Sequence, residues 1–253
     1  MKKLVLAASI LVLGTAAASA ADLAPRYYKA PPPVAVALYN WSGFYAGING
    51  GWGTSHNCWT RTATAGVAVP PVSEGCHDSS GGTVGGQVGY RWQANNWVFG
   101  LEAQGNWADF SGSNVSLLFG GLATNRTRID AFGLFTGQVG YAWNNVLAYV
   151  KGGAAVTDNK YEGLATATGL VTDRATDARW GAAVGAGLEY GFAPNWSAAL
   201  EYDHMFMGTN NYGFASVFPV AGLATRNIND GQDVDLVTVR LNYRFGGPVV
   251  ARY

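Results

Sequence analysis

Apolar and polar residues alternate with a period of two along most of the chain beyond position 40, in runs broken by Gly, Asn, Asp and Pro. That period places successive side chains on opposite faces of extended backbone, so it predicts strands and not helices. Eight runs emerge, at 42–53, 83–92, 97–110, 128–143, 146–157, 179–192, 196–208 and 233–245, with ends good to about two to four residues. Several exceed the usual soluble strand and suit a tilted membrane crossing of about 9–11 residues. In the third run Trp97, Phe99, Leu101, Ala103, Gly105 and Trp107 separate from Val98, Gly100, Glu102, Gln104 and Asn106. In the eighth, Val237, Val239, Leu241, Tyr243 and Phe245 separate from Thr238, Arg240, Asn242 and Arg244.

The connections alternate in length. Segments 93–96, 144–145 and 193–195 are tight turns built of Asn, Pro and Gln, whereas 54–82, 111–127, 158–178 and 209–232 are long and rich in Gly, Thr, Asn and Asp. The hairpin repeats: Gly86-Gln87-Val88-Gly89-Tyr90-Arg91-Trp92 returns as Gly137-Gln138-Val139-Gly140-Tyr141-Ala142-Trp143. Short turns at one end and long segments at the other are the asymmetry of outer-membrane barrels. The predicted fold is therefore all-β: an eight-stranded antiparallel transmembrane β-barrel with short periplasmic turns and long extracellular loops, closed so that no strand edge meets lipid.

Alternation alone would also suit a soluble sheet, and the aromatics break the tie. Trp92, Trp97, Tyr141, Trp143, Tyr190, Phe192, Trp196, Tyr243 and Phe245 fall on the apolar lists beside the short turns, where they form an interfacial girdle. Trp107, Trp180 and Phe206 are candidates for the opposite girdle. A lipocalin-like calyx would keep its apolar side inside, which would leave the ionisable list on the exterior. In the membrane reading, Arg91, Glu102, Lys151, Glu189, Glu201, Asp203, Arg240 and Arg244 face the lumen and must pair there, because a buried charge persists only when paired. Glycines 85, 89, 140, 185 and 187 leave room for the long side chains. The network reads as a plug, with a gate as its functional alternative.

The start of the chain sets the compartment. Met1-Lys2-Lys3, the apolar stretch 4–14 and Ala18-Ser19-Ala20 read as a signal peptide over 1–20, cleaved before Ala21. A Pro-rich leader follows over 21–40 and the barrel domain over 41–253. The signal holds two of the 16 basic residues and none of the 16 acidic ones, leaving 14 against 16, a balance that argues against nucleic acid as a partner. Cys58 and Cys76, the only cysteines, are expected to form a disulfide in an oxidising compartment. A metal site with His56 and His77 is the weaker alternative, since the CxxC spacing is missing. Both histidines read as solvated loop residues. Asp203 and His204 are adjacent on a strand, so they point to opposite faces and cannot serve as an acid–base pair. Without a phosphate cradle or a nucleophile elbow, neither a cofactor nor an enzyme is expected.

The leader Tyr28-Lys29-Ala30-Pro31-Pro32-Pro33, the motif Asn40-Trp41-Ser42-Gly43-Phe44-Tyr45-Ala46-Gly47, the Gly-Tyr-Arg/Ala-Trp strand ends and the closing Leu241-Asn242-Tyr243-Arg244-Phe245 together resemble the outer-membrane immunogenic protein and porin-like family of alphaproteobacteria, related to small OmpA-like barrels. The resemblance implies a surface-exposed barrel in the outer membrane, with envelope integrity and immune recognition as its usual roles and haemin binding claimed for some relatives. The leading expectation is a structural, surface-exposed barrel with a narrow or closed lumen, and the alternative is a small porin or haemin-binding transport protein. Expected partners are outer-membrane lipid and lipopolysaccharide, the barrel-assembly machinery during biogenesis, and haemin or host-surface ligands at the loops.

Overall fold

The computed structural model describes residues 39–246. The expected signal peptide, leader residues 21–38 and the tail beyond 246 lie outside the described residues. Eight strands form in chain order: β1 Gly43–Thr64, β2 Val67–Ala94, β3 Trp97–Val115, β4 Ala123–Trp143, β5 Val146–Ala165, β6 Val171–Ala193, β7 Trp196–Ser216 and β8 Ala224–Arg244. Each pairs antiparallel with its sequence neighbour, and β1 also pairs with β8, from Tyr45 opposite Arg244 to Thr64 opposite Arg226, which closes the barrel.

The three tight turns lie where the sequence places them. Asn95 and Asn144 take positive φ of 55° and 53°, the backbone a two-residue hairpin with right-twisted strands needs and one that Asn tolerates. The opposite end differs from expectation. Most of the segments read as long loops continue as strand, and β1 and β2 run 22 and 28 residues to a two-residue turn at Ala65-Gly66. Their sequence lacks period-two contrast because polar residues stand on both faces over much of these extensions, so the alternation that marks a strand in lipid is missing although the ladder is intact.

The exterior shows where lipid lies. The predicted girdle points outward, with Trp92, Trp97, Trp143, Tyr190, Phe192, Trp196 and Phe245 all exposed. Above it Trp52, Trp107, Trp180 and Phe206 project from β1, β3, β6 and β7. Immediately beyond these rings the outward positions turn polar, at His56, Asp78, Asp109, Arg128, Lys160 and Asp233. An apolar belt between aromatic rings, capped by charge, is the profile of a bilayer crossing. The outer part of every strand therefore stands above the membrane.

Candidate functional site

The lumen is built in tiers, and the lowest comes from residues 39–41, just ahead of β1. Tyr39 and Trp41 tuck into the mouth at the short-turn end, both buried, with ring centroids 4.4 Å apart. The Trp41 N–H donates to Gln93 Oε1 at 3.0 Å, and the Tyr39 N–H to Asn145 Oδ1 at 3.3 Å. Arg244 lies over the Tyr39 ring and Arg91 over Trp41, a cation–π arrangement that holds the segment in place. A Cβ on Gly191 would strike the Tyr39 ring, so that glycine makes the docking possible. The cavity left among Tyr39, Trp41, Tyr45, Arg91, Glu189 and Asn242 is about 10 Å³, room for roughly one water.

The ionisable cluster forms the next tier. Arg240, fully buried, bridges Glu102 and Glu201. Lys151 Nζ lies 2.7 Å from Glu201 and 3.1 Å from Asp203, with Glu102 at 3.7 Å. Arg91 pairs with Glu189 at 2.8 Å, and Tyr45 donates to Glu102 at 2.6 Å. Seven of the eight residues assigned to the network thus meet. Arg244 departs from that assignment: it donates to the carbonyls of Ser42 and Pro194 at the barrel rim, because the entering N-terminal segment occupies the space in front of it. The glycines act as expected. A Cβ on Gly187 would come within 2.5 Å of the Tyr149 ring, and one on Gly89 within 2.6 Å of Tyr45. Both tyrosines hand a hydroxyl to a network carboxylate, Tyr149 to Glu201. Gly187→Val should displace Tyr149 from Glu201 and cost about 1–3 kcal/mol by overpacking, read as a lower urea midpoint for the refolded barrel.

Above the charges the lumen is apolar, a feature that period-two reading missed. Phe110, Ile129, Phe132, Leu134, Met205, Met207, Val234 and Leu236 are buried inside the barrel, so the expectation that apolar residues face out fails in this tier. β4 carries apolar residues on both faces here, and a bulge at Asp130 changes its register, so alternation could not assign them.

Two further polar tiers stand above the membrane belt. Arg179 is fully buried and donates to the carbonyls of Met207 and Asp230 at 3.0 and 2.6 Å, to Gly208 O, and to Asp230 Oδ2 at 3.1 Å. It spans a stretch where β6 and β7 share no ladder pairs, between Arg174 opposite Ala215 and Ala182 opposite Phe206. Higher still, Arg226 joins Glu74 and Asp173 above an aromatic cluster of Trp59, Tyr161, Tyr212 and Phe214. Glu162 sits between Arg126 and Arg174: burial pushes its carboxyl up, but the two guanidiniums outweigh burial and hold it below the usual range.

The histidines divide. His77 is buried, not solvated: Nδ1 lies 2.9 Å from Asn114 Oδ1 and Nε2 2.9 Å from Thr127 Oγ1, because β2 continues as strand and turns this position inward. Burial lowers its pKa, so it stays neutral, and both ring nitrogens are occupied. His56 remains on the exterior, bonded to Asp78 at 2.6 Å. Cys58 and Cys76 form a disulfide across β1 and β2. Asp203 faces the lumen and His204 the exterior, where His204 meets Asp235 at 2.7 Å.

Comparison with known proteins agrees with this geometry. The family model described as the outer membrane protein beta-barrel domain matches residues 6–245. The 31 kDa outer-membrane immunogenic protein of Brucella melitensis biotype 1 is 29% identical over 96% of this chain and 100% of its own length. A 22 kDa outer membrane protein of Rhizobium leguminosarum bv. viciae is 32% identical over 52% of this chain and 56% of its own. Among solved structures, OprG of Pseudomonas aeruginosa superposes with a TM-score of 0.52 at 14% identity, covering 83% of this chain and 99% of OprG. The Escherichia coli protease OmpT superposes with a TM-score of 0.50 at 9% identity, covering 80% and 97%, a likeness of fold alone.

Proposed function

The chain belongs to the outer membrane protein β-barrel family and resides in the outer membrane, and from that premise we propose that it is a structural, surface-display barrel whose lumen is closed to solutes. One observation carries this reading: side chains fill the described interior tier upon tier, from Tyr39 and Trp41 at the periplasmic mouth through the Arg240 network and the Phe110–Phe132 tier to Arg226 and Glu74. An ion entering axially would have to part several paired charges and then cross an apolar tier, each step carrying the cost of stripping water from charge.

Display is supported at the other end. Leu117, Leu122, Phe218, Val220 and Leu223 are exposed in the outer connections, at positions the membrane belt does not reach. Bare apolar side chains in such places are what contact surfaces use. The contribution to envelope integrity follows from a rigid closed wall that adds no leak. Haemin transport draws no support from His77, both of whose nitrogens are engaged.

Planar-bilayer recordings on the refolded chain test the proposal. Quiet traces with only brief, small events are expected. Large, stable open states would overturn the closed-lumen reading.

A further inference from the structure

Among the described residues outside the lumen, one cluster of metal-ligating groups is left over. Cys58 and Cys76 stand opposite each other on β1 and β2, and the neighbouring outward pair is His56 and Asp78. The imidazole is held from one side: Asp78 Oδ1 lies 2.6 Å from Nδ1, which makes Nδ1 the protonated nitrogen. In the neutral ring the opposite nitrogen, Nε2, then carries its lone pair 3.4 Å from the Cys58 sulfur. A disulfide sulfur has no proton to give, so this lone pair faces an atom that cannot satisfy it.

The same spacing fits a metal. With metal–nitrogen near 2.0 Å and metal–sulfur near 2.3 Å in a tetrahedron, nitrogen and sulfur ligands sit about 3.5 Å apart. The His56 nitrogen and the two sulfurs already lie within 4.8 Å of one another. A carboxylate on the far nitrogen of a ligating histidine is the usual outer support, fixing the tautomer and the ring. Asp78 occupies that place. His77, between Cys76 and Asp78 in sequence, faces the interior and takes no part.

We propose that reduction of the Cys58–Cys76 disulfide creates a Cys₂His site for a soft divalent cation such as zinc, with the fourth position open to water. A thiol reductant supplies two electrons: the S–S bond breaks, two thiols form, and the reductant leaves as its own disulfide. The cation then binds both sulfurs and His56 Nε2, releasing the two thiol protons to solvent. The site lies above the membrane belt on the barrel exterior, where His56 and Cys76 are exposed to both reagents. In the oxidised protein the sulfurs are spent on each other, so the disulfide acts as the lock on the site.

The full chain, refolded in detergent, is reduced with dithiothreitol, desalted without oxygen and titrated with Co²⁺. Thiolate-to-cobalt charge transfer and tetrahedral d–d bands should saturate at one cobalt per chain in the reduced protein and be missing from the oxidised one. Replacing both cysteines by serine should abolish the bands. His56→Ala should weaken binding at least about tenfold and Asp78→Asn by about 10–100-fold, the range for lost outer support. Heat-modifiable gel migration separates a failed site from a failed fold. Reduced protein that binds no better than the double serine variant, an unchanged His56→Ala affinity, or a barrel that unfolds on reduction would each overturn the proposal.

Discussion

Arg240→Ala should cost about 3–5 kcal/mol of unfolding free energy, the range for stripping one partner from a buried ion pair. Arg240 hydrogen-bonds both Glu102 and Glu201, whereas Lys151 hydrogen-bonds only Glu201 of the two, and all four are buried. Without it, Lys151 faces Glu102, Glu201 and Asp203 alone, one cation against three carboxylates. The Tyr45 hydroxyl would remain on Glu102 and the Tyr149 hydroxyl on Glu201, but neither brings charge. Urea unfolding in lipid vesicles should show the loss as a lower midpoint with an unchanged slope. An effect below about 1 kcal/mol, the size typical of exposed pairs, would mean that water reaches these groups and that the tier is not sealed. Arg240→Lys should recover part of the loss, since one ammonium cannot reach two carboxylates with the geometry of a guanidinium.

Arg179→Met should have an effect of similar size for a different reason. The guanidinium stitches β6 to β7 where the ladder lapses, and its removal strands Asp230 and three carbonyls at once. Because Met preserves the stem, the expected loss of about 3–5 kcal/mol belongs to the lost polar partners and not to packing. The deficit should depend on pH. Burial pushes the Asp230 carboxyl up to about 7. A group raised in the folded state stabilises the fold at low pH and loses that contribution as pH climbs through its folded value. Below that value Asp230 carries a proton with or without Arg179, so the deficit should be smaller at pH 5 than at pH 8. Hydrogen exchange offers a local check: amides of 176–181 and 208–213 should lose protection before those of β3 and β4. Uniform loss across the barrel would argue against a seam.

The contrast between faces was readable wherever water and lipid impose opposite demands. Trp97 through Trp107 and Val237 through Phe245 could be sorted residue by residue because lipid lies on one side and paired charges on the other. Arg91, Glu102, Glu189 and Arg240 followed, since no place other than the interior could hold them. Three features were hidden for definite physical reasons. Above the belt, residues such as Thr54, Ser55 and His56 meet polar surroundings on both sides, so the strand carries no stripe. Phe132 and Leu134 lie in a segment apolar on both faces, and the bulge at Asp130 shifts its register. Tyr39 and Trp41 belong to a stretch with no periodicity, and their place beneath Arg91 and Arg244 depends on contacts far along the chain.

The extension of the strands beyond the polar collar at Asp109, Arg128 and Asp233 bears on what an antibody or a neighbouring cell would meet. At ~3.3 Å per residue and a tilt near 40°, extensions such as 123–128 of β4 and 224–233 of β8 raise a stiff chimney of roughly 15–25 Å over the bilayer. Its outside is a patchwork assembled from several strands at once. A synthetic peptide cut from any single hairpin would reproduce one stave of that wall, so sera raised against the folded molecule should bind such fragments poorly and the intact cylinder well.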